Sequence, residues 1–98
     1  MFMKVSYYSV FQYDIDGISI SFPDIPSALT CADNDEDGKR FAKEALVLAL
    51  HGLPISELPT PTPADSIKTE KGQKSFLITA EFEIADGKLF SQSVREFG

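Results

Sequence analysis

The chain has 98 residues, a one-domain length that limits it to a single modest core. A 43% hydrophobic fraction with eight Phe and three Tyr excludes a wholly disordered chain. Nine Lys plus Arg against fifteen Asp plus Glu give a net charge of -6. That balance excludes a surface that tracks phosphates throughout, since Lys and Arg supply such binding, and it favours a basic partner or none that is charged.

Residues Lys4 to Tyr13 are rich in Val, Tyr and Phe and lack Gly and Pro, which predicts a strand. Tyr8 and Val10 share one of its faces; Tyr7, Phe11 and Tyr13 share the other. Asp16-Gly17 then signals a hairpin. Ile18, Ile20 and Phe22 alternate with Ser19 and Ser21, the period of a half-buried strand that Pro23 ends. Asp24 to Ser27 reads as a turn or loop, and Ala28 to Ala32 as a short third strand.

From Gly38 the period becomes helical. Phe41, Ala42, Ala45, Leu46, Leu48, Ala49 and Leu53 form one broad stripe, with Lys39, Lys43 and Glu44 largely away from it. Acids crowd the start, where the helix dipole favours them. Asp33 or Asn34 can cap, and Asp33 with Glu36 has capping-box spacing. His51 and Gly52 sit where a C-terminal cation and a left-handed cap are expected. Pro54, Pro59, Pro61 and Pro63 make residues 53–66 an extended crossing, mobile or laid along the sheet. Ser75 to Ile84 is the longest strand, with Phe76, Ile78, Ala80, Phe82 and Ile84 on one face and Leu77 as the apolar exception on the other. Asp86-Gly87 is a second hairpin signal, and Lys88 to Phe97 returns as a strand or tail. The fold class is α+β: a mainly antiparallel sheet of three to four strands with one helix on one face, in the order β-β-β-α-β.

The single cysteine, Cys31, cannot form an internal disulfide, and small secreted domains usually carry several. No apolar run of signal-peptide length opens the chain, and Ala45 to Leu50 falls far short of the roughly 20 residues of a membrane span. A cytoplasmic protein without a membrane segment is expected.

One His and one Cys supply neither a four-ligand zinc site nor a convincing dyad. Acids beside Cys31 disfavour its thiolate, so a small buried Cys31 and a helix-capping His51 are expected. No phosphate loop or Gly-x-Ser-x-Gly elbow is present. Asp33, Asp35, Asp37, Gly38 and Glu44 match the spacing of a calcium loop. The loop needs an entering helix, however, and Pro23 and Pro26 fall there, Arg40 takes its usually aliphatic eighth position, and helical periodicity already runs through Phe41. An acidic helix start is the favoured reading, although Gly38 inside a helix costs about 1 kcal/mol relative to Ala. Asp14 with Asp16, and Glu81 with Glu83, read as solvated turn and strand positions. No catalytic set and no cofactor are expected.

Phe22-Pro23-Asp24-Ile25-Pro26, after a strand rich in Tyr and Phe and Asp16-Gly17, resembles the HicB antitoxin family. Leu29-Thr30-Cys31-Ala32-Asp33, Ala42-Lys43-Glu44-Ala45-Leu46 and the proline-containing stretch Ile55 to Pro63 extend the resemblance over roughly residues 7–84. Asp16, Gly17, Phe22, Pro23, Asp24 and Pro26 are its structural motif positions. Ser27-Ala28 departs from a common Gly-Cys, and Gly38 from the usual alanine. The resemblance implies a partial ribonuclease-H-like fold without catalytic carboxylates. It also implies a partner, a small basic mRNA-cleaving ribonuclease of the HicA type, which the protein binds and neutralises. Residues 1–98 then form one HicB-like domain with a core over about residues 4–84. The stretch 85–98 is a short strand or tail, too short for the DNA-binding domain that family members often carry, so direct DNA binding is not expected. Asp33, Asp35, Glu36 and Asp37 are the candidate partner-binding residues. The alternatives are an orphan HicB-like scaffold that self-associates as a homo-oligomer and a calcium-binding module through Asp33, Asp35, Asp37 and Glu44.

Overall fold

A computed structural model describes residues 1–92. It is α+β, with one long helix and one five-stranded antiparallel sheet. The elements are β1 (Phe2–Asp14), β2 (Gly17–Ser21), β3 (Leu29–Ala32), α1 (Asp35–Leu50), β4 (Gln73–Ala85) and β5 (Lys88–Phe90). Two single turns of 3-10 helix, Ile55–Glu57 and Ala64–Ser66, lie between α1 and β4. The strand order is β3-β2-β1-β4-β5.

Five strands replace the three to four expected from the sequence, because the chain does return after Asp86-Gly87. Ala85 pairs with Lys88, and both loop residues have positive φ, 53° at Asp86 and 71° at Gly87. That is the signature of a type I′ turn, whose twist matches the strands it joins. The same dipeptide works differently in the first hairpin. There Asp14 pairs with Gly17, the loop is Ile15-Asp16, and only Gly17 takes a positive φ, 134°. The return strand expected over Lys88 to Phe97 extends to Phe90, and residues 93–98 lie outside the described residues.

The sheet is built on β1 and β4, paired from Phe2↔Glu83 to Gln12↔Gln73. Alternation along β1 separates two faces. Val5, Tyr7 and Phe11 point inward and are buried with Ile18, Ile20, Ile78, Ala80 and Phe82. The other face mixes polar pairs with apolar residues, among them Tyr8 opposite the exposed Leu77. The Ser6 and Thr79 hydroxyls are hydrogen-bonded at 2.7 Å, and Gln73 Nε2 donates to Gln12 Oε1 at 2.7 Å.

The ladder also sorts β1 by parity. Tyr13 N–H donates to Gly72 O at 2.9 Å and Ile84 N–H to Met1 O at 2.8 Å, both in the β1–β4 register. Odd-numbered residues of β1 therefore exchange bonds with β4, and even-numbered ones turn their backbone groups to the β2 side. But β2 stops at Ser21, opposite Val10. Among the described residues, no strand faces the backbone groups of Phe2, Lys4, Ser6 and Tyr8 on that side.

The helix lies across the inner face with Gly38, Ala42, Leu46 and Leu50 buried, whereas Leu48, expected on the same stripe, is exposed because it lies two residues from both Leu46 and Leu50, about 200° around the helix from each. Keeping Leu46 and Leu50 from water stabilises by roughly 2 kcal/mol each. Of the two caps left open by the sequence, Asn34 is the one used. Its Oδ1 accepts from Asp37 N–H at 2.8 Å, and its Nδ2 donates back to the Asp37 carboxylate at 3.2 Å. The reciprocal pair is Asn34 with Asp37, not Asp33 with Glu36. Gly38 has a packing reason: an added Cβ would sit 2.6 Å from Phe11 Cε2 and 3.3 Å from Ile20 Cδ1. At the far end Gly52 has φ 83°, as a left-handed cap requires. The imidazole of His51 does not cap carbonyls as expected; its Nδ1 accepts Ser91 N–H at 2.9 Å. Cys31 is exposed rather than buried, because it alternates with the inward-facing Ala32 on an edge strand.

The proline-rich crossing lies along the inner face beside the helix. Leu53, Ile55 and Leu58 pack on the core. Tyr7 Oη donates to Pro59 O at 2.7 Å, and Thr62 donates twice to Asp24, from N–H at 2.8 Å and from Oγ1 at 2.6 Å.

Candidate partner-binding site

The β1–β2 hairpin, the end of β3 and the start of α1 meet at one corner of the molecule. Their meeting depends on Gly17. A Cβ there would lie 3.1 Å from Ala32 O and 3.8 Å from Asp33 Oδ1, so β3 and Asp33 come close to the hairpin because Gly17 has no side chain. Asn34 then starts the helix, and Asp35, Glu36 and Asp37 fill its first turn, where unpaired backbone N–H groups favour negative charge.

A cleft of about 720 Å³ opens at this corner. Asp14, Asp16, Asp33 and Asp37 line it, with Ile18, Ala32 and Phe41 supplying apolar wall. Two of the four sequence candidates, Asp33 and Asp37, therefore share one concavity. Asp35 accepts the hydroxyl of Tyr13 instead, and Glu36 is exposed outside the cleft lining. Asp14 and Asp16 were read from sequence as solvated turn residues, and the fold adds them to the group. Their Asp-x-Asp spacing was legible; their apposition to Asp33 and Asp37 needed the hairpin to fold beside the helix start.

The carboxylates here have few local counter-ions. Arg40 meets Asp37 at 2.9 Å, an exposed i, i+3 pair of the kind that contributes little. Burial pushes the Tyr13 hydroxyl up to about 12, helped by its hydrogen bond to Asp35 and by that carboxylate's charge. Tyr13 therefore stays a neutral donor that fixes Asp35. Burial and the Asp24 carboxylate likewise raise Tyr7, which keeps its proton and donates through it to Pro59 O.

The calcium-loop spacing does not fold into a loop. Asp35, Asp37 and Glu44 lie along α1, and no group of three or more His, Cys, Asp or Glu among the described residues is placed to hold a metal ion. The helix takes over the positions that would have wrapped a cation.

The structural motif positions are distributed as follows. Phe22 is in the core. Pro23 lies one residue beyond Ser21, the last residue of β2. Asp24 clamps Thr62, and Pro26 lies in a double turn closed by Ile25 N–H to Phe22 O at 3.0 Å and Ala28 N–H to Ile25 O at 2.9 Å. Asp16 and Gly17 belong to the hairpin at the acidic cleft. Phe-Pro-Asp-Ile-Pro is thus a strand terminator and an anchor for the crossing segment.

No family model matches the chain. Antitoxin HicB 2 of Photorhabdus laumondii is 41% identical to it over 54 residues, which cover 53% of this chain and 39% of that protein. The chain is HicB-like. The likeness spans about two fifths of the antitoxin's own length, so what the whole of that protein does is carried over to this HicB-like chain only as a proposal. No helix among the described residues is long and apolar enough to cross a membrane.

Proposed function

We propose that this chain is a non-catalytic, cytoplasmic antitoxin that binds and neutralises a small basic mRNA-cleaving ribonuclease of the HicA type. Its similarity to antitoxin HicB 2 carries the reading. The acidic cleft supports it physically. Asp14, Asp16, Asp33 and Asp37 give a concave anionic surface suited to Lys and Arg side chains that would otherwise hold RNA. Such a surface steers a basic protein toward it and repels phosphate, so it speeds the right encounter and excludes the wrong one. The two-layer arrangement of one helix on an antiparallel sheet is compatible with a partial ribonuclease-H-like fold used as a binding scaffold, without catalytic carboxylates.

The experiment is co-purification with the product of the adjacent gene, followed by association kinetics for the native chain and for a variant with Asp14, Asp16, Asp33 and Asp37 changed to Asn. Stable association whose on-rate falls with salt and falls in the variant is the expected result. No association with a small basic neighbour would remove the reading. A second reading, a HicB-like scaffold that self-associates, draws on a separate observation: the stretch of β1 that no strand among the described residues covers.

A further inference from the structure

We propose that the free edge of β3 takes an extended strand of a basic partner protein, laid beneath the flank of α1 that overhangs it. The inference rests on the reading of a basic protein partner for its occupant, and it adds how that partner docks. Ladder parity places the edge. Val10, Gln12 and Asp14 exchange backbone bonds with Ser21, Ser19 and Gly17, so Ile18 and Ile20 turn theirs to Ala32 and Thr30 of β3. The N–H and C=O groups of Leu29 and Cys31 then point away from the sheet, and no strand among the described residues pairs with them. This edge is short, but it has no Lys and no Pro, the residues that commonly guard one. The opposite edge is taken: along β5, Gly52 N–H donates to Leu89 O at 2.6 Å and Leu89 N–H to Leu53 O at 2.9 Å.

Above the β3 edge the helix has apolar surface with nothing under it. Beside its buried row of Gly38, Ala42, Leu46 and Leu50, α1 carries a second row, Phe41, Ala45 and Leu48, at the i, i+4, i+7 spacing of one flank. With Leu29, Thr30 and Cys31 this row lines a groove of about 380 Å³ between helix and strand. Leu29 is 65% exposed and Leu48 67%. A strand added at the usual spacing of about 4.8 Å enters this groove, and its inward side chains meet the second row.

Charge decides what kind of strand fits. The groove runs into the acidic cleft, since Cys31 and Phe41 line both. Asp33 and Asp37 stand at that end, and Glu44 lies along the groove. Lys39 is on the other flank of α1, over the Phe76 ring of β4 at 4.4 Å. In an antiparallel partner strand, the residue opposite Thr30 faces the apolar row. The residue two places before it, opposite Ala32, faces Asp33 and Asp37. The occupant therefore reads basic-x-apolar. Main-chain bonds to Leu29 and Cys31 supply affinity, and the two inward side chains supply selectivity.

The test titrates two capped pentapeptides into the isotope-labelled full chain. One runs arginine, serine, valine, serine, valine; the other has glutamate in place of the arginine. The first peptide is expected to bind and to shift the amides of Leu29 and Cys31, while those of Thr30 and Ala32, bonded to β2, move little. The glutamate peptide should bind about tenfold more weakly. Cys31→Pro removes an outward N–H and spares the β2 ladder, as edge strands allow, and should weaken the arginine peptide about tenfold, whereas Cys31→Ser leaves it unchanged. Leu48→Gln, at an exposed position, should weaken it about threefold. Melting curves check folding, and Leu48→Gln carries the test if Cys31→Pro does not fold. No binding at millimolar peptide overturns the proposal. So do equal binding of the two peptides, shifts that avoid Leu29 and Cys31, and binding that the folded variants leave intact. The same shifts on concentrating the chain alone would make the occupant a second copy and overturn it too. Because the peptide needs no toxin, its binding stands or falls separately from co-purification with the adjacent gene's product.

Discussion

Gly38→Ala sets two effects against each other. In an exposed helix the change would stabilise by about 1 kcal/mol, because Gly is that much poorer than Ala. Here the new methyl carbon would lie 2.6 Å from Phe11 Cε2 and 3.2 Å from its Cζ, about 1 Å inside the usual carbon–carbon separation. Phe11 has little room to move. It is fully buried, and its ring packs edge-on against Phe76 at 4.7 Å and lies 6.4 Å from Tyr13. Overpacking a tight core costs about 1–3 kcal/mol, so the net expectation is a loss of about 1 kcal/mol. For a domain of this size that lowers Tm by about 4–8 °C. Circular dichroism melts and urea titrations read it. In a Phe11→Leu background, where the ring is gone, Gly38→Ala becomes neutral or stabilising by up to about 1 kcal/mol. The difference between the two backgrounds is the coupling energy. A rise in Tm for Gly38→Ala in the native background would refute the claim that the helix is seated on Phe11.

Three further outcomes are expected. Asp24→Ala removes both acceptors of Thr62 and destabilises by about 2 kcal/mol, with faster proteolytic nicking within residues 59–70; unchanged melting and nicking would remove its anchoring role. Tyr13 holds its proton more tightly folded than unfolded, so its contribution is complete below pH 10 and is lost as pH rises toward about 12. Tyr13→Phe should flatten the fall of unfolding free energy across that window relative to the native chain, and parallel curves would contradict this. His51→Ala takes away the acceptor of Ser91 N–H, and exchange of the Ser91 amide should speed up while amides in the middle of α1 keep their rates.

Much of the architecture was legible because it follows from short-range rules. The alternation Ile18, Ile20, Phe22 fixed a buried face, and the acids before a 3.6-residue stripe fixed a helix start. What was not legible depended on contacts between distant segments. Gly38 looked like a blemish because helix propensity is local, whereas its cause is the Phe11 ring on another strand. The two Asp-Gly signals looked alike, yet only the second places both residues of the pair in the turn. Asp14 and Asp16 looked like turn residues and are, but the Gly17 gap brings them to Asp33 and Asp37. Within the candidate site, Asp33 and Asp37 belong to a run of acids that is local in the sequence. The hydrogen bond that engages Asp35 was not legible, because its partner, Tyr13, is 22 residues away.

The most direct measurement is an RNA-cleavage titration. The product of the adjacent gene is assayed for RNA cleavage at fixed concentration, and the native chain or the Asp14, Asp16, Asp33 and Asp37 to Asn variant is added. The account expects cleavage to stop near one equivalent of native chain. It expects the variant to require more, with the gap narrowing as salt screens the charges. Cleavage that continues in the presence of saturating, folded native chain would contradict the antitoxin reading.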